Sequence, residues 1–231
     1  MTGCLCIHGF TGGPYEVEPL AKHLQQTFGW EIQVPALPGH GETPELKGIK
    51  FKAWIQHAEN ELKKLLNEHS EVYVIGFSMG GMIASYLAVN YPVNKLVLLS
   101  AAAYYINPKQ VLQDARVMAV DLYHRRLAEN ELYTRYKKKF LGTPLSAAYE
   151  FRKLVRYVRP HLQNIQIPVL IVQGESDGIV PVKSAHYLYN HIGSEEKKLC
   201  FLPLSKHLIC HDCEFNTLTE EVTSFLVKDS L

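Results

Sequence analysis

The chain has little of what would mark it for export, membranes or nucleic acid. It has only five cysteines, an odd number whose spacing is not that of a disulfide framework. That excludes a small disulfide-stapled scaffold and leads us to expect a reducing, cytosolic setting. No apolar run approaches the ~18–20 residues that a membrane span needs. The first ten residues, Met1 to Phe10, lack a basic leader and enter a short apolar stretch directly, so no signal peptide is expected. Lys plus Arg number 24 against 23 Asp plus Glu, a net charge of +1. Such a balance provides no global field to recruit nucleic acid or a membrane surface. There is no internal repeat and no low-complexity segment. What is present is 231 residues with 47% hydrophobic composition, enough for one sizeable core and more consistent with one domain bearing an insertion than with two domains.

The chain is organised around Gly76-Phe77-Ser78-Met79-Gly80-Gly81. Before it runs Glu71-Val72-Tyr73-Val74-Ile75, short and β-branched, which reads as a buried strand. After it runs Met82 to Val89, apolar almost all round, which reads as a buried helix closed by Pro92. A G-x-S-x-G at a strand-to-helix junction is the context a nucleophile elbow requires. The turn must be sharp for the Ser78 hydroxyl to project, and side chains two positions either side would collide. The plain alternative is a glycine-rich turn with an ordinary serine.

Other segments alternate in the same way. Cys4 to Ile7 is a strand ending in the glycine-dense His8-Gly9-Phe10-Thr11-Gly12-Gly13. Val17, Leu20, Leu24 and Phe28 recur at helical spacing and Gly29 closes that helix. Glu31 to Pro35 is a strand, followed by the turn Pro38-Gly39-His40-Gly41. Ile55, Ala58, Leu62 and Leu65 mark one helix face. Lys95 to Ser100, Pro168 to Gln173 and Lys198 to Leu202 are further strands. Ala185, Leu188, Tyr189 and Ile192 fit a helix, and Leu218, Val222, Phe225 and Leu226 define a closing one. About six strands separated by helices predict an α/β fold with a mostly parallel, doubly wound sheet covered on both faces.

Between Tyr105 and Ile165 the alternation stops. The segment reads as helices, one carrying Val111, Leu112, Ala115 and Met118, another Ala147, Phe151, Leu154, Val155 and Val158. It holds twelve Lys and Arg against five Asp and Glu, a net of +7, whereas the rest of the chain is at −6. A helical insertion of different charge suggests a cap or lid over a site. The alternative is a solvated helical face. The expected organisation is therefore a core of 1–104 and 166–231 with a cap of 105–165.

In such sheets ligands gather beyond the carboxyl ends of the strands. His8-Gly9-Phe10, Ser78, Asp177 and His207 all fall there. A serine needs a base to remove its proton, and a carboxylate to fix the tautomer of that base. His211 competes with His207 for the role of base, and Glu175 and Asp212 compete with Asp177. The place of Asp177 after the Pro168 strand, and the order Ser, Asp, His, favour Ser78, Asp177 and His207. Met79, directly after the serine at a helix N-terminus, presents a backbone N–H to an oxyanion. His8 reads as a support for its loop. Tyr104, Tyr105, Ile179 and Leu208 are candidate pocket residues, with core packing as their plain alternative.

His207, Cys210, His211 and Cys213 do not follow a standard zinc spacing, so no metal and no cofactor are expected. Cys4 and Cys6 are read as buried small hydrophobes on opposite faces of their strand.

These motifs resemble the α/β-hydrolase superfamily, and most closely its compact bacterial carboxylesterase and monoacylglycerol lipase group. His8-Gly9-Phe10 resembles the oxyanion loop, Pro38-Gly39-His40-Gly41 the turn that follows, and Gly76 to Gly81 the elbow. Gln173 to Asp177, through Val180-Pro181, resembles the acid loop, and Ser205-Lys206-His207 the histidine loop. The resemblance implies Ser78 as nucleophile, His207 as general base and then acid, and Asp177 as its orienting carboxylate. The backbone N–H groups of Phe10 and Met79 would form the oxyanion hole. The implied activity is hydrolysis of small to medium acyl esters, monoacylglycerols among them, by a monomer or homodimer acting on a small molecule. A thioesterase or peptidase of the same fold is the nearest alternative, and a non-catalytic ligand-binding protein on this scaffold is another. Many relatives carry additional N-terminal strands before the histidine-glycine motif, so an exposed sheet edge is an expectation here.

Overall fold

The computed structural model describes residues 2–104 and 144–228. Six strands form one parallel sheet: β1 (Thr2–Ile7), β2 (Glu31–Gln33), β3 (Glu71–Phe77), β4 (Lys95–Leu99), β5 (Val169–Gly174) and β6 (Lys197–Leu202). Their order across the sheet is β2-β1-β3-β4-β5-β6, with parallel pairing throughout. The chain winds outward from β1 in one direction, then returns past it through β3 and proceeds to the other edge. Doubly wound sheets bind ligands at such a reversal, which here lies beyond the carboxyl ends of β1 and β3.

Helices α1 (Glu18–Phe28), α2 (Phe51–Glu68), α3 (Met79–Asn90), α4 (Leu145–Val158), α5 (Lys183–His191) and α6 (Phe215–Val227) connect and cover the strands. The central strands β3, β4 and β5 are apolar and almost wholly buried, as a sheet covered on both faces demands. Leu5, Ile7, Val74, Leu96, Leu98 and Ile171 face one core under α2, α3, α4 and α5. Tyr73, Ile75, Val97, Leu99, Leu170 and Val172 face the other, under α1 and α6. The edge strand β2 is only three residues long and stops short of Pro35, which blunts it as a template for further pairing.

The thiols of β1 correct the reading made from sequence. Cys4 and Cys6 lie in the same core layer, their Sγ atoms 3.9 Å apart. Residues two apart on a strand share a face, so the expectation of opposite faces was wrong on elementary strand geometry. Both are buried and free, as the small-hydrophobe reading requires.

The helix expected around Phe151 is α4, and Ala147, Phe151, Leu154, Val155 and Val158 are its buried positions. It also carries the buried Glu150, which accepts the N–H of Phe51 at 3.2 Å. Lys50 at the N-cap of α2 has no capping side chain of its own, so a carboxylate from α4 sits at the positive end of α2. Lys153 at 2.9 Å and Lys50 at 3.6 Å pair with the same carboxylate. Burial works against its charge, but these partners hold its titration below the usual carboxylate range. The helix expected around Val111 to Met118, and Tyr105, lie outside the described residues.

Candidate active site

Ser78 joins β3 to α3 with φ +54° and ψ −115°, in the positive-φ region that non-glycine residues rarely enter. The strain is held from both sides. The Ser78 N–H donates to the Leu99 carbonyl at 2.9 Å, and the Ser78 carbonyl accepts from Gly81 and Ala102 at 3.1 Å each. Two glycines make the turn sterically feasible. A Cβ on Gly76 would lie 2.3 Å from the Gly80 carbonyl oxygen, and one on Gly80 would lie 2.2 Å from that of Ile7.

At this elbow the structure brings together the three side chains singled out from sequence. His207 Nε2 lies 3.1 Å from Ser78 Oγ, and His207 Nδ1 lies 2.7 Å from Asp177 Oδ2. The carboxylate can only accept, so Nδ1 carries the proton and Nε2 is left to accept from the hydroxyl. The Phe77 ring flanks the imidazole, centroids 4.9 Å apart. Ser78 is 7% exposed.

Asp177 is fixed by its own loop. Its Oδ1 accepts the N–H groups of Ile179 at 2.8 Å and Val180 at 2.9 Å. Its Oδ2 accepts from Gln173 Nε2 at 3.1 Å besides His207. The sequence reading named Gln173 as the start of the acid loop but gave it no role, although a signal was available: it is the one polar residue ending an otherwise apolar strand. In the structure it is fully buried. The other histidine and carboxylates near these loops do other work. His211 Nε2 donates to the Tyr15 carbonyl at 2.7 Å. Asp212 Oδ2 accepts the Lys206 N–H at 2.7 Å and so braces the histidine loop, as Glu214 does by accepting from Ser205 Oγ at 2.6 Å. Glu175 is exposed, its N–H donating to the Leu202 carbonyl at 2.9 Å.

The loop after β1 is held by His8. Its Nε2 accepts the Leu37 N–H at 3.0 Å, and its Nδ1–H donates to the Gly9 carbonyl at 2.8 Å. One neutral ring thereby ties the Gly9 loop to the Pro38 turn. Burial, with His40 and His57 nearby, pushes its titration down to about 4, although the Gly9 bond opposes this. In the unfolded chain the same ring takes its proton near 6.5, so the unfolded state binds more protons between pH 6.5 and 4. Unfolding free energy is therefore expected to fall by up to about 3 kcal/mol as pH drops through that window. Urea titrations at several pH values check this, and the fall should shrink in His8→Gln.

The remaining candidates are placed as follows. Phe10 follows Gly9 in this loop, its ring stacked on Phe151 with centroids 5.1 Å apart and edge-on to Trp54. Met79 is the first residue of α3, where N–H groups lack an intrahelical partner. Ile179 follows Asp177 and is half-buried against the first core. Leu208 follows His207 and is half-buried against the second. The Tyr104 N–H donates to Ser184 Oγ, while its hydroxyl accepts from Arg159 and its ring meets that of Tyr187 edge-on. Among the described residues one set of metal-type donors converges, Glu31, Glu68 and His69. It flanks the start of β2 and the end of α2, and His69 there already pairs with Glu31 at 2.9 Å. Cys210 is buried and Cys213 exposed.

A parallel doubly wound sheet with a serine at the elbow after β3, and a histidine and a carboxylate delivered by later loops, defines an α/β-hydrolase. The chain belongs to the Hydrolase_4 family, described as serine aminopeptidase, S33, whose model matches residues 3–214. It is 26% identical over 227 residues to a carboxylesterase of Bacillus subtilis (strain 168), covering 97% of this chain and 92% of the relative. It is 28% identical over 235 residues to a thermostable monoacylglycerol lipase of Bacillus sp. (strain H-257), covering 98% and 90%. Among solved structures, one from the metagenome-derived lipolytic enzymes LipS and LipT superposes with a TM-score of 0.80 at 24% identity, covering 99% of this chain and 94% of that one. The monoacylglycerol lipase of Paleococcus ferrophilus superposes with a TM-score of 0.71 at 17% identity, covering 97% and 93%. The chain is thus an α/β-hydrolase, and the relatives it resembles include an esterase and a monoacylglycerol lipase. Among the described residues no helix is long and apolar enough to cross a membrane.

Proposed function

We propose that the chain is a serine carboxylesterase that hydrolyses small to medium acyl esters, monoacylglycerols among them, through an acyl-enzyme on Ser78. The observation that carries this reading is the hydrogen-bonded series Ser78, His207, Asp177 at 3.1 and 2.7 Å, set at a strained elbow. Ser78 Oγ attacks the ester carbonyl carbon while its proton passes to His207 Nε2. The carbonyl oxygen becomes an oxyanion beside the N–H groups of Phe10 and Met79, and Asp177 stabilises the imidazolium without taking its proton. The tetrahedral intermediate expels the alkoxide, which leaves as alcohol with the proton from His207. A water then attacks the acyl-enzyme, His207 takes its proton, and return of that proton to Ser78 Oγ releases the acid. In this reading α4 belongs to a cap of which residues 105–143 lie outside the described residues, and Tyr104, Ile179 and Leu208 contribute to the pocket walls.

The test is labelling with a fluorophosphonate, peptide mapping, and turnover of p-nitrophenyl esters from acetate to laurate. Labelling at Ser78 with a clear chain-length optimum is the expected result. A second reading, a peptidase, is favoured by the printed description of the family. Labelling with no ester turnover but with cleavage of aminoacyl p-nitroanilides would establish it instead. Turnover of acyl thioesters alone would make the chain a thioesterase, and absence of labelling in folded protein would leave a ligand-binding protein. Asp177→Asn should fold normally but lose about 10²–10⁴-fold in kcat, because the imidazole is then held in the wrong tautomer. Full activity in that variant would remove Asp177 from the mechanism.

A further inference from the structure

The loop that presents the Phe10 N–H is wrapped around a buried carboxylate. Glu16, only 8% exposed, ends the short turn Pro14–Glu16 that follows the loop, and its own N–H returns to the Gly13 carbonyl at 3.0 Å. Its Oε2 accepts the Gly9 N–H at 2.8 Å. The carboxyl group fills the concave side of the loop. A Cβ on Gly12 would lie 2.1 Å from Oε2, and one on Gly9 would lie 3.2 Å from the same oxygen and 3.1 Å from Ser78 Cβ. Gly9 is therefore in contact with the carboxylate and the nucleophile together.

Three successive peptide groups are each held by a different side chain. The Gly9 N–H, in the first, is drawn to Glu16. The Gly9 carbonyl, in the second, is drawn to His8 Nδ1–H. The Phe10 carbonyl, in the third, accepts from Thr11 Oγ1 at 2.6 Å. In a trans peptide the N–H points opposite to the C=O, so drawing the Gly9 carbonyl to His8 turns the Phe10 N–H the other way. Thr11 then takes φ +64°, a conformation a threonine does not choose unaided. Without the anchor at Glu16 the Gly9 peptide can rotate and carry the Phe10 N–H with it.

We propose that Glu16 is a positioning residue of the oxyanion site, its carboxylate serving as the template on which the loop sets the Phe10 N–H. This rests on the hydrolase reading above. The loss of one oxyanion donor costs about 10²–10³-fold in kcat. Glu16→Ala is expected to lower kcat by about that factor with KM changed less than about threefold, and to weaken an alkylboronic acid, which becomes tetrahedral on Ser78, by a similar factor. Glu16→Gln keeps the shape and one acceptor oxygen for Gly9 and should lose about tenfold by the same two measures, which carries the test if the alanine variant does not fold. The amount of Ser78 labelled by a fluorophosphonate at completion counts intact sites, so every value is taken per labelled site.

A folded variant whose kcat and boronic acid affinity both stay within about threefold of wild type overturns the proposal. So does a loss of kcat with boronic acid affinity unchanged, because the oxyanion site is then intact. Wild-type protein that neither labels nor turns over esters overturns the hydrolase reading, and this inference with it.

Discussion

Ser78→Ala and His207→Ala are each expected to lower kcat for a simple p-nitrophenyl ester by about 10⁴–10⁶-fold, and the double variant by scarcely more. The reason lies in the shared proton. Ser78 Oγ and His207 Nε2 are 3.1 Å apart, and neither has a use without the other. A serine without a base keeps its proton and is a poor nucleophile, and a base without the serine can only activate water from the wrong place. The first removal therefore takes away nearly everything that the second would. A loss of 10⁵-fold corresponds to about 7 kcal/mol of transition-state stabilisation. Two independent contributions of that size would multiply, and near-multiplication in the double variant would mean that the two residues do not act as one unit. Residual turnover above the uncatalysed rate is expected in all three variants, since the proposed oxyanion donors, the N–H groups of Phe10 and Met79, stay in place. The comparison is made as single-turnover rates on protein whose urea unfolding matches wild type, so that a folding loss is not taken for a catalytic one.

The parts of this arrangement that were legible in the sequence are those where local chemistry leaves little choice. Val72 to Phe77 is apolar and β-branched, and Met79 to Ala88 is buried almost all round, so strand and helix are both dictated and the serine between them has to sit on a turn. Gly29 ends α1 at φ +67°, where a residue with a Cβ is disfavoured. Asp177 and His207 could be found because each follows a strand in the same order. The hydrogen-bond partners within the loops were not legible in this way. Nothing near Glu16 in sequence says that its carboxylate meets the Gly9 N–H, and nothing near Gln173 says that its amide meets Asp177 Oδ2. Both contacts are short in sequence, seven and four residues apart, but they depend on how each loop folds back after its strand, which residue types alone do not give. The end of β2 illustrates the limit on boundaries. Glu31 to Pro35 has the composition of a longer strand, but pairing with β1 stops at Gln33, two residues before a proline that has no N–H to offer. Cys4 and Cys6 show an error of another kind, since the twofold repeat of a strand already places them together.

Gly80→Ala is expected to lower both stability and activity severely. A Cβ there would lie 2.2 Å from the Ile7 carbonyl oxygen and 2.5 Å from that of His8. Both are backbone atoms at the end of β1, and no rotamer can move them aside. Relief requires the first turn of α3 to withdraw from β1, yet α3 is buried on nearly every side and β1 is paired along its length to β3. Overpacking of a rigid core costs about 1–3 kcal/mol and more where backbone must move, so a loss of about 3 kcal/mol or above is expected, with Tm lower by about 6–12 °C for a chain of this size. The activity should fall further than the folded fraction does. On the proposed mechanism the two surfaces forced apart are the ones that carry the Met79 N–H and the Phe10 N–H, so the site proposed for the developing oxyanion would widen in every molecule that still folds. Gly178→Ala is the matched control. It stands next to Asp177, but a Cβ there meets nothing within 4 Å, and it should leave stability within about 0.5 kcal/mol, as surface changes usually do. Urea unfolding of both variants, with kcat per fluorophosphonate-labelled serine, separates the two effects. Wild-type stability in Gly80→Ala would mean that the approach of α3 to β1 is looser than described, and the elbow would then lose its steric explanation. Reduced stability with undiminished kcat per labelled serine would keep that explanation but detach the Phe10 and Met79 N–H groups from the rate.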